Sequence, residues 1–378
     1  MPGFELIDDS ERDAVTSVFD EGGVLFAHGF EAARKKFHVR EFEANCCDYF
    51  GIRYSHALSS GTASIKCALK AVGVTPGAEV ITQGFNFIAT VEAILDCGAI
   101  PIICSIDNNL HLDIDDCISK ITPNTSAIVI VNMLGFPGPI SRLRSRIIDA
   151  GFSIPVIEDA CESVGALVGT KYSGTCADIG VFSFDHGKNL TCGEGGLILT
   201  DNPGYSQFVS SYSDHGHSLD PYRSRGNDIA LMPGFNYRMT EMQAAVGKIQ
   251  LSKLATLIDL HKLRYSILFQ ALSRRFNIRH EATCLDIPSY DTFMLLDLNN
   301  QLKNSIIFTM QNHGLCPKNI PDAMFWHCSA FWHHALTPAQ LENGKSVLQL
   351  LSSAVAIPIL ARKPLIDYQR LAEALLML

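Results

Sequence analysis

One lysine, Lys188, lies between two apolar segments whose composition predicts buried strands, at residues 181–184 and 197–200. The glycine-rich run GEGG at 193–196 separates the lysine from the second segment. A lysine amine that is desolvated between core elements can form a Schiff base with a carbonyl compound such as pyridoxal phosphate (PLP). We therefore hypothesise that Lys188 forms a Schiff base with PLP. A solvated loop lysine is the alternative that this segment by itself leaves open.

A carboxylate, Asp159, ends another predicted buried strand at residues 154–159. Aspartate in this position commonly caps a following helix, and that role stays open. It could instead accept a hydrogen bond from a pyridinium N–H and so keep a PLP ring protonated as an electron sink. Its predicted place, one strand away from Lys188, favours the second role.

Small residues, SSGTAS at 59–64, join a predicted strand at 54–58 to a helical pattern. Backbone N–H groups at a helix N-terminus bind anions, and small side chains allow a phosphate to approach them. The segment is therefore a candidate phosphate site, although a plain Ser/Thr helix cap is the commoner use of such residues. Phe87, which follows another predicted strand, could stack on a planar ring or belong to the core.

Short apolar runs alternate with helical patterns along the first 250 residues. This alternation predicts βαβ units and an α/β fold with a mostly parallel central sheet and helices on both faces. Ligands in such sheets bind at the carboxyl ends of the strands. The phosphate-site candidate, Phe87, Asp159 and Lys188 are all predicted to lie there.

Beyond about Leu260 the pattern changes to mixed strands and helices. We predict a large α/β domain over residues 1–250 and a smaller α+β domain over residues 251–378, with residues 1–30 as a segment that could pack on the smaller domain. The long helix that leads into this region is predicted to begin after Thr240, where Gln243 completes a capping box, and to end near Leu260.

Composition excludes several classes of protein. The chain has 378 residues, 47% of them apolar and 18% charged, which is typical of a globular protein. The net charge of −9, without a basic block, argues against nucleic acid or an anionic membrane as partner. The acidic first residues lack the regions of a signal peptide, and the twelve scattered cysteines fit reduced core residues, so we expect a cytoplasmic protein.

Six segments, in order and spacing, resemble the DegT/DnrJ/StrS family of PLP-dependent sugar aminotransferases, which have PLP-dependent transferase fold type I. The segments are SSGTAS at 59–64, FNFIAT at 85–90, EDACES at 158–163, SFDHGKNLTCGEGG at 183–196, DHGH at 214–217 and GFNYRMTEMQAAVG at 234–247. Each is a weak signal alone, whereas the set covers roughly two-thirds of the chain and is specific.

The resemblance implies a role for each matching residue. Lys188 would form the Schiff base, Asp159 would hold the pyridine nitrogen, and Phe87 would stack on the ring. The implied phosphate-binding residues are Gly61, Thr62 and Ser183. PLP is accordingly the expected cofactor. Desolvation is expected to lower the pKa of Lys188 enough for base work near neutrality.

The resemblance also implies a homodimer with shared active sites, because Asn236 would reach the phosphate of the neighbouring subunit's cofactor. Arg238 beside it and His215 in the DHGH segment are expected to contact substrate; a surface arginine is the alternative for Arg238. Glu162 stands near the ring where the family often has Gln or His, and Met133 stands where His is common.

A late cluster, WHCSAFWHH at 326–334, contains both tryptophans and three histidines. It lacks ligands at a known metal spacing, so we expect no metal site and instead assign His327 to the active-site wall, near the substrate. The expected substrates are an amino acid, glutamate by resemblance, and a keto- or aldehydo-sugar. The opening MPGFEL, the lysine segment and this cluster are similar to a narrower group in the family, which makes 8-amino-3,8-dideoxy-octulosonate for lipopolysaccharide from 8-oxo-Kdo.

Two other functions stay open. Sugar dehydratases of the same fold use PLP but replace the lysine with histidine; here the lysine is present, although His186 lies two residues away. A catalytically silent PLP-fold protein that acts in regulation is the second alternative. The intact pair of Lys188 and Asp159 weighs against it.

Overall fold

The computed structural model describes residues 4–220, 222–281, 283 and 285–378. Its strands are β1 Tyr54–Leu58, β2 Glu79–Gln83, β3 Ile100–Cys104, β4 Thr125–Val131, β5 Val156–Asp159, β6 Leu167–Val168, β7 Lys171–Tyr172, β8 Ile179–Ser183, β9 Gly196–Thr200, β10 Asn277–Ile278, β11 Thr292–Leu296 and β12 Val355–Pro358. Its helices are α1 Asp9–Asp20, α2 His38–Phe50, α3 Gly61–Ala71, α4 Ala89–Asp96, α5 Ile114–Ser119, α6 Ile140–Asp149, α7 Pro203–Tyr212, α8 Glu241–Leu272, α9 Asn300–Asn312, α10 Met324–His327, α11 Pro338–Glu342, α12 Gly344–Ser352 and α13 Leu365–Leu376.

The main sheet has the strand order β1-β9-β8-β5-β4-β2-β3. The strands β3, β2, β4, β5 and β8 pair in parallel, whereas β9 is antiparallel to both of its neighbours, β8 and β1. Because β9 is reversed, β1 runs in the same direction as β8. The expected α/β fold with a mostly parallel central sheet is confirmed, and the carboxyl ends of six strands meet at one edge.

The sheet is covered on both faces, as its sequence pattern predicts. Along β4, Ala127, Val129 and Val131 point into a core that α3 and α4 help to form. The alternate residues Ile128 and Ile130 pack with apolar side chains of α5 and α6 on the opposite face. Burial on both faces explains why these strands are almost continuously apolar instead of alternating.

A second sheet, β10-β11-β12, is antiparallel and packs with α9, α13 and the later part of α8. Helix α8 begins after Thr240 with the predicted Gln243 capping box, but it extends to Leu272 instead of ending near Leu260. The helix therefore runs without a break through the predicted boundary at residues 250/251, and the division into two domains stays a prediction. Glu5 of the N-terminal segment accepts the N–H groups of Ala361 and Arg362, both at 3.0 Å.

None of the helices in the part of the chain that the structure describes is long and apolar enough to cross a membrane.

The start of α8 also anchors the segment that leads into α2. Glu241 is fully buried and lies 2.6 Å from the Arg34 guanidinium. It accepts the N–H groups of His38 and Val39 at 2.5 and 3.3 Å. One carboxylate therefore neutralises a buried cation and satisfies two N–H groups at the first turn of α2, where helices lack internal acceptors.

Replacing Glu241 by alanine should leave the Arg34 charge buried without its partner. We expect the free energy of unfolding to fall by about 3–5 kcal/mol, measured by urea denaturation. The matched control is Glu373→Ala, which removes an exposed carboxylate from α13 and should change stability by less than about 0.5 kcal/mol. Equal losses in the two variants would contradict this account of Glu241.

Candidate active site

The carboxyl edge of the main sheet collects most of the residues that the sequence singled out. Ser59 follows β1, Phe87 follows β2, Asp159 ends β5, and the segment from Ser183 to Gly196 leaves β8 and returns as β9. The segment with Lys188 is thus a loop at the edge where ligands of parallel sheets bind. The predicted shared placement is observed.

The N-terminus of α3 lies directly on the end of β8. A Cβ atom on Gly61 would lie 2.7 Å from Ser183 Cβ and 3.3 Å from Cys161 Sγ. The helix can therefore approach β8 this closely only because residue 61 is glycine. Ser60 caps the helix and accepts the N–H of Ala63 at 3.1 Å, while Thr62 is exposed on the first turn. This first turn, beside the Ser183 hydroxyl, has the geometry and the dipole of a phosphate site.

Asp159 is 3% exposed and is held from both sides. The Thr90 hydroxyl donates to its Oδ2 at 2.9 Å and the Cys161 N–H to its Oδ1 at 3.2 Å. A turn follows it, not a helix, so the alternative role as a helix cap is not observed. Burial raises the pKa of Asp159 above its ordinary value, although these hydrogen bonds and Lys188 oppose the shift. A cationic ring nitrogen is the type of partner that such a buried carboxylate fits.

Lys188 pairs with Glu162. Its Nζ lies 3.4 Å from Glu162 Oε1, and the Leu134 N–H donates to Glu162 Oε2 at 3.1 Å. Burial alone would raise the pKa of Glu162, but Lys188 foremost and then His327 hold it at about 2.

The expected lowering of the lysine pKa is wrong for this chain. Burial does favour a lower pKa for Lys188, but the facing negative groups, with Glu162 first, outweigh burial and raise it. The sequence-based expectation considered desolvation without the counter-ion. Lys188 is therefore held as an ammonium group beside Glu162.

The region after β11 forms the other wall of the site. Lys318 and Asn319 line the cavity around Lys188, and Asn319 Nδ2 lies 3.5 Å from Glu162 Oε1. His327 Nε2 lies 3.9 Å from the same oxygen, and the His327 ring packs on Phe87 with centroids 5.4 Å apart. Placing His327 in the active-site wall agrees with this geometry.

The remaining residues of the late cluster, at 326–334, do not share one environment. Trp332 is fully buried and its indole N–H donates to the Phe325 carbonyl at 3.1 Å, while His333 and His334 are exposed. His186 is exposed and stacks on Phe4, with centroids 5.4 Å apart. His186 is therefore directed toward the N-terminal segment.

Three predicted residues do not line the cavity around Lys188. Arg238 forms an ion pair with Asp214, which also binds Arg225 through two 2.5 Å hydrogen bonds. Arg238 lines a separate cavity of about 1110 Å³ that Lys188 does not line. His215 and Asn236 are exposed beside Asp214. Their segment instead meets the end of β1, where the Ser59 N–H donates to the Tyr237 carbonyl oxygen at 2.7 Å.

Several site residues were not predicted. Leu134 donates to Glu162 from a left-handed conformation with φ of 59°, and nothing in its residue type signals this. Thr90 supports Asp159, and its only signal is its place in the FNFIAT segment. Lys318 and Asn319 come from a part of the chain without a recognisable pattern.

Comparisons with known proteins bear on the family and the fold. The model of the "DegT/DnrJ/EryC1/StrS aminotransferase family" matches residues 30–317. A GDP-perosamine synthase of Caulobacter vibrioides is 35% identical over 65% of this chain, and the matching part spans 63% of that relative's length. An aminotransferase from Psychrobacter cryohalolentis has the same fold, with a TM-score of 0.85 at 22% identity, covering 97% of this chain and 96% of its own.

A solved dehydratase shares the fold as well. The E. coli GDP-4-keto-6-deoxy-D-mannose-3-dehydratase, solved with bound hydrated PLP, gives a TM-score of 0.79 at 21% identity, covering 99% of this chain and 98% of its own. Similarity of fold at this identity does not separate the two reactions, so the residues at the site must do so.

The close contact at Gly61 can be tested through cofactor affinity. In Gly61→Ala the new Cβ would collide with Ser183, so the first turn of α3 must shift away from the phosphate position. We expect the Kd for PLP to rise by about tenfold, equivalent to about 1.4 kcal/mol, in a PLP titration followed by absorbance. Gly226→Ala is the matched control, because no atom lies within 4 Å of its added Cβ; an equal rise there would refute the assignment.

Proposed function

The chain belongs to the DegT/DnrJ/EryC1/StrS aminotransferase family, and we propose that it is a PLP-dependent aminotransferase that moves an amino group from an amino acid, glutamate in our proposal, to a keto- or aldehydo-sugar. The observation that supports this most directly is the meeting of Lys188, the buried Asp159 and the glycine-based helix N-terminus at one edge of the sheet. These are an amine, an anion for a ring nitrogen and a phosphate site, which together fit PLP.

The residues of the site would have different roles in such a reaction. PLP, when bound, supplies an electrophilic carbon and a protonated ring that stabilises negative charge on the carbon that loses a proton. Asp159 would hold the proton on the ring nitrogen, because its buried carboxylate accepts hydrogen bonds at both oxygens and a further cation beside it would be stabilised. The first turn of α3 and Ser183 would bind the phosphate, and Phe87 would pack against the ring.

Lys188 provides the proton-transfer group. Its Nζ lies at the carboxyl edge and is mostly buried, so a neutral amine there could remove a proton from the donor amino acid and return it at a neighbouring carbon. The amine must first lose the proton that Glu162 favours. Proton release from Lys188 is therefore a necessary step of the proposed reaction.

A dehydratase is the second candidate, and a specific observation weighs against it. The only histidine in the lysine loop, His186, is exposed and stacks on Phe4, so it does not lie in the cavity with Lys188. A silent regulatory protein is also disfavoured, because a matched lysine and buried carboxylate have no evident use without the cofactor.

The acceptor is the finer part of the proposal. We propose 8-oxo-Kdo, on the similarity of the lysine segment and the late cluster to the enzymes that make 8-amino-3,8-dideoxy-octulosonate. The first three residues of the opening MPGFEL lie outside the described part of the chain, so its structural role is not used. The relative from Caulobacter is named for a GDP-linked sugar, and a nucleotide-linked keto-sugar is therefore the competing acceptor.

Lys188→Ala tests the proposed reaction. We expect the purified variant to lose the visible absorbance that the chain gains with PLP, and to lose amine transfer by a factor of at least about 10⁴, because Lys318, which also lines the cavity, is paired with Asp291. The assay follows conversion of glutamate to 2-oxoglutarate with a sugar acceptor. If absorbance and transfer both survive, the assignment is wrong; loss of water from the sugar without amine transfer would favour the dehydratase.

The same assay identifies the acceptor. The unaltered chain is offered 8-oxo-Kdo and GDP-4-keto-6-deoxymannose separately, and kcat/KM is compared. We expect at least about a hundredfold preference for 8-oxo-Kdo, since a site that binds the wrong polar groups leaves its own unpaired. Preference for the GDP-linked sugar would overturn this acceptor while leaving the aminotransferase assignment intact.

We also propose that the active enzyme is a homodimer in which Asn236 completes the partner's site. Asn236 is exposed, and Arg238 lines a different cavity from Lys188, which leaves Asn236 accessible to a second copy of the chain. The proposal predicts complementation between two inactive variants, Lys188→Ala and Asn236→Ala. After equal mixing with subunit exchange, about a quarter of the sites should combine an intact lysine with an intact asparagine.

The readout is amine transfer before and after mixing. Mixing Lys188→Ala with Lys188→Met is the matched control and should restore no activity. Absence of recovery in the first mixture, with exchange of subunits shown by mass spectrometry, would contradict a shared site.

A further inference from the structure

Two basic side chains approach one carboxylate oxygen in the active site. Lys188 Nζ lies 3.4 Å from Glu162 Oε1, and His327 Nε2 lies 3.9 Å from the same atom. The other oxygen, Oε2, is held by the Leu134 N–H at 3.1 Å. Glu162 is therefore fixed in place, and Oε1 is the atom over which the lysine and the histidine compete.

The hydrogen bonds of His327 define which nitrogen can take a proton. Its Nδ1 lies 2.9 Å from the Ala323 carbonyl oxygen, and because a carbonyl only accepts, Nδ1 must carry a hydrogen. In the neutral ring the lone pair is then on Nε2, which faces Glu162. A proton on Nε2 would turn a contact between a lone pair and a carboxylate into an ion pair.

The surrounding charges support this competition. Asp159, Cys161 and Asp185 also face Lys188, from β5, the turn after β5 and the lysine's own loop. Lys318, which itself pairs with Asp291, faces both Glu162 and His327. Arg279 is a more distant cation near Glu162. Burial, opposed by Glu162, lowers the pKa of His327, while Lys188 and Lys318 lower it further, so the proton resides on Lys188 when both residues are present.

We propose that Glu162 and His327 are positioning residues that control the protonation state of Lys188, with Glu162 as counter-ion of the ammonium group and His327 Nε2 as the acceptor of a proton from solvent once Lys188 is neutral. This role rests on the proposed function only in that the lysine must become a neutral amine. The proton that leaves Nζ passes to solvent, one N–H bond forms at Nε2 with a proton from solvent, and no electrons change centre. Glu162 stays ionised and becomes paired with the imidazolium.

The residue type at position 162 is what makes this possible. A neutral glutamine could donate or accept a hydrogen bond but would not hold the lysine as an ammonium group or stabilise the imidazolium that follows. Opposite charges within about 4–6 Å shift a pKa by about 1–3 units. Removal of the Glu162 charge should therefore change the pKa values of both Lys188 and His327.

The first experiment measures Lys188 in the full chain without cofactor. Lys188 is labelled with acetic anhydride across a range of pH, and its extent of reaction is read by peptide mass spectrometry, since only the neutral amine reacts. In Glu162→Gln we expect the labelling midpoint to fall by about 1–3 pH units. Glu162→Asp, which keeps the charge, should stay within about half a unit of the unaltered chain.

The matched control is Glu194→Gln, which removes an exposed carboxylate from the loop that carries Lys188 and should leave the labelling midpoint of Lys188 unchanged. An unchanged or higher midpoint in Glu162→Gln overturns the counter-ion role, whereas a lower midpoint with Glu194→Gln unaffected supports it. A purely structural role of Glu162 would reduce the amount of folded protein without moving the midpoint of Lys188.

The second experiment measures His327 in the same cofactor-free chain. The imidazole pKa is followed by NMR of labelled histidine, with the resonance assigned from its loss in His327→Gln. In Lys188→Met the competing cation is gone, so we expect the pKa of His327 to rise by about 1 unit or more, and in Glu162→Gln we expect it to fall. The same value in all three proteins overturns the acceptor role. Neither titration requires amine transfer, so failure of the proposed function would be seen separately.

Discussion

The site depends on a contact between backbone atoms that only glycine permits. Strand β9 lies reversed between β1 and β8, and its first residue, Gly196, is the register partner of Ser183. Across this pair lies the first turn of α3: a Cβ on Gly196 would lie 2.3 Å from the Ser60 carbonyl oxygen, and one on Gly61 would lie 2.7 Å from Ser183 Cβ. The helix N-terminus can therefore sit directly on two strand ends. The lysine loop, which begins at Ser183 and ends at Gly196, is fixed at both ends beside the candidate phosphate site.

The two acids that follow β5 show how placement sets chemistry. Asp159 and Glu162 are three residues apart, yet the pKa of Asp159 is raised by burial and that of Glu162 is held at about 2 by its contact with Lys188. Neighbouring groups with opposite shifts are typical of sites that assign different proton roles to similar side chains. Asp159 is poised to meet a cation from a ligand, whereas Glu162 already has a cation from the protein.

Much of the fold and part of the site could be predicted, because both depend on local signals. Strand–loop–helix patterns placed the phosphate site, Asp159 and Lys188 at one edge, and the buried strands follow from their apolar runs. The lysine pKa could not be predicted, since its direction depends on Glu162, which folding brings within 3.4 Å. The wall that includes His327 was inferred only from composition, because its contact with Glu162 joins distant parts of the chain. The sequence predicts that α8 ends near Leu260, whereas the helix continues to Leu272. Its later residues pack on β11, a tertiary contact that the local pattern does not indicate.

The loop that carries Asn236 is held by ion pairs and packs closely against the backbone near Gly216. Asp214 is almost fully buried and binds both Arg225 and Arg238, so two guanidinium groups share one carboxylate and a net positive charge remains. A Cβ on Gly234 would lie 2.5 Å from the Gly216 nitrogen, so the two backbone segments approach more closely than a residue with a side chain would allow. Asn236 is exposed beside this excess positive charge, an arrangement that suits an anionic ligand. If Arg238 left Asp214, it would give up a buried ion pair, although Arg225 would still neutralise the carboxylate.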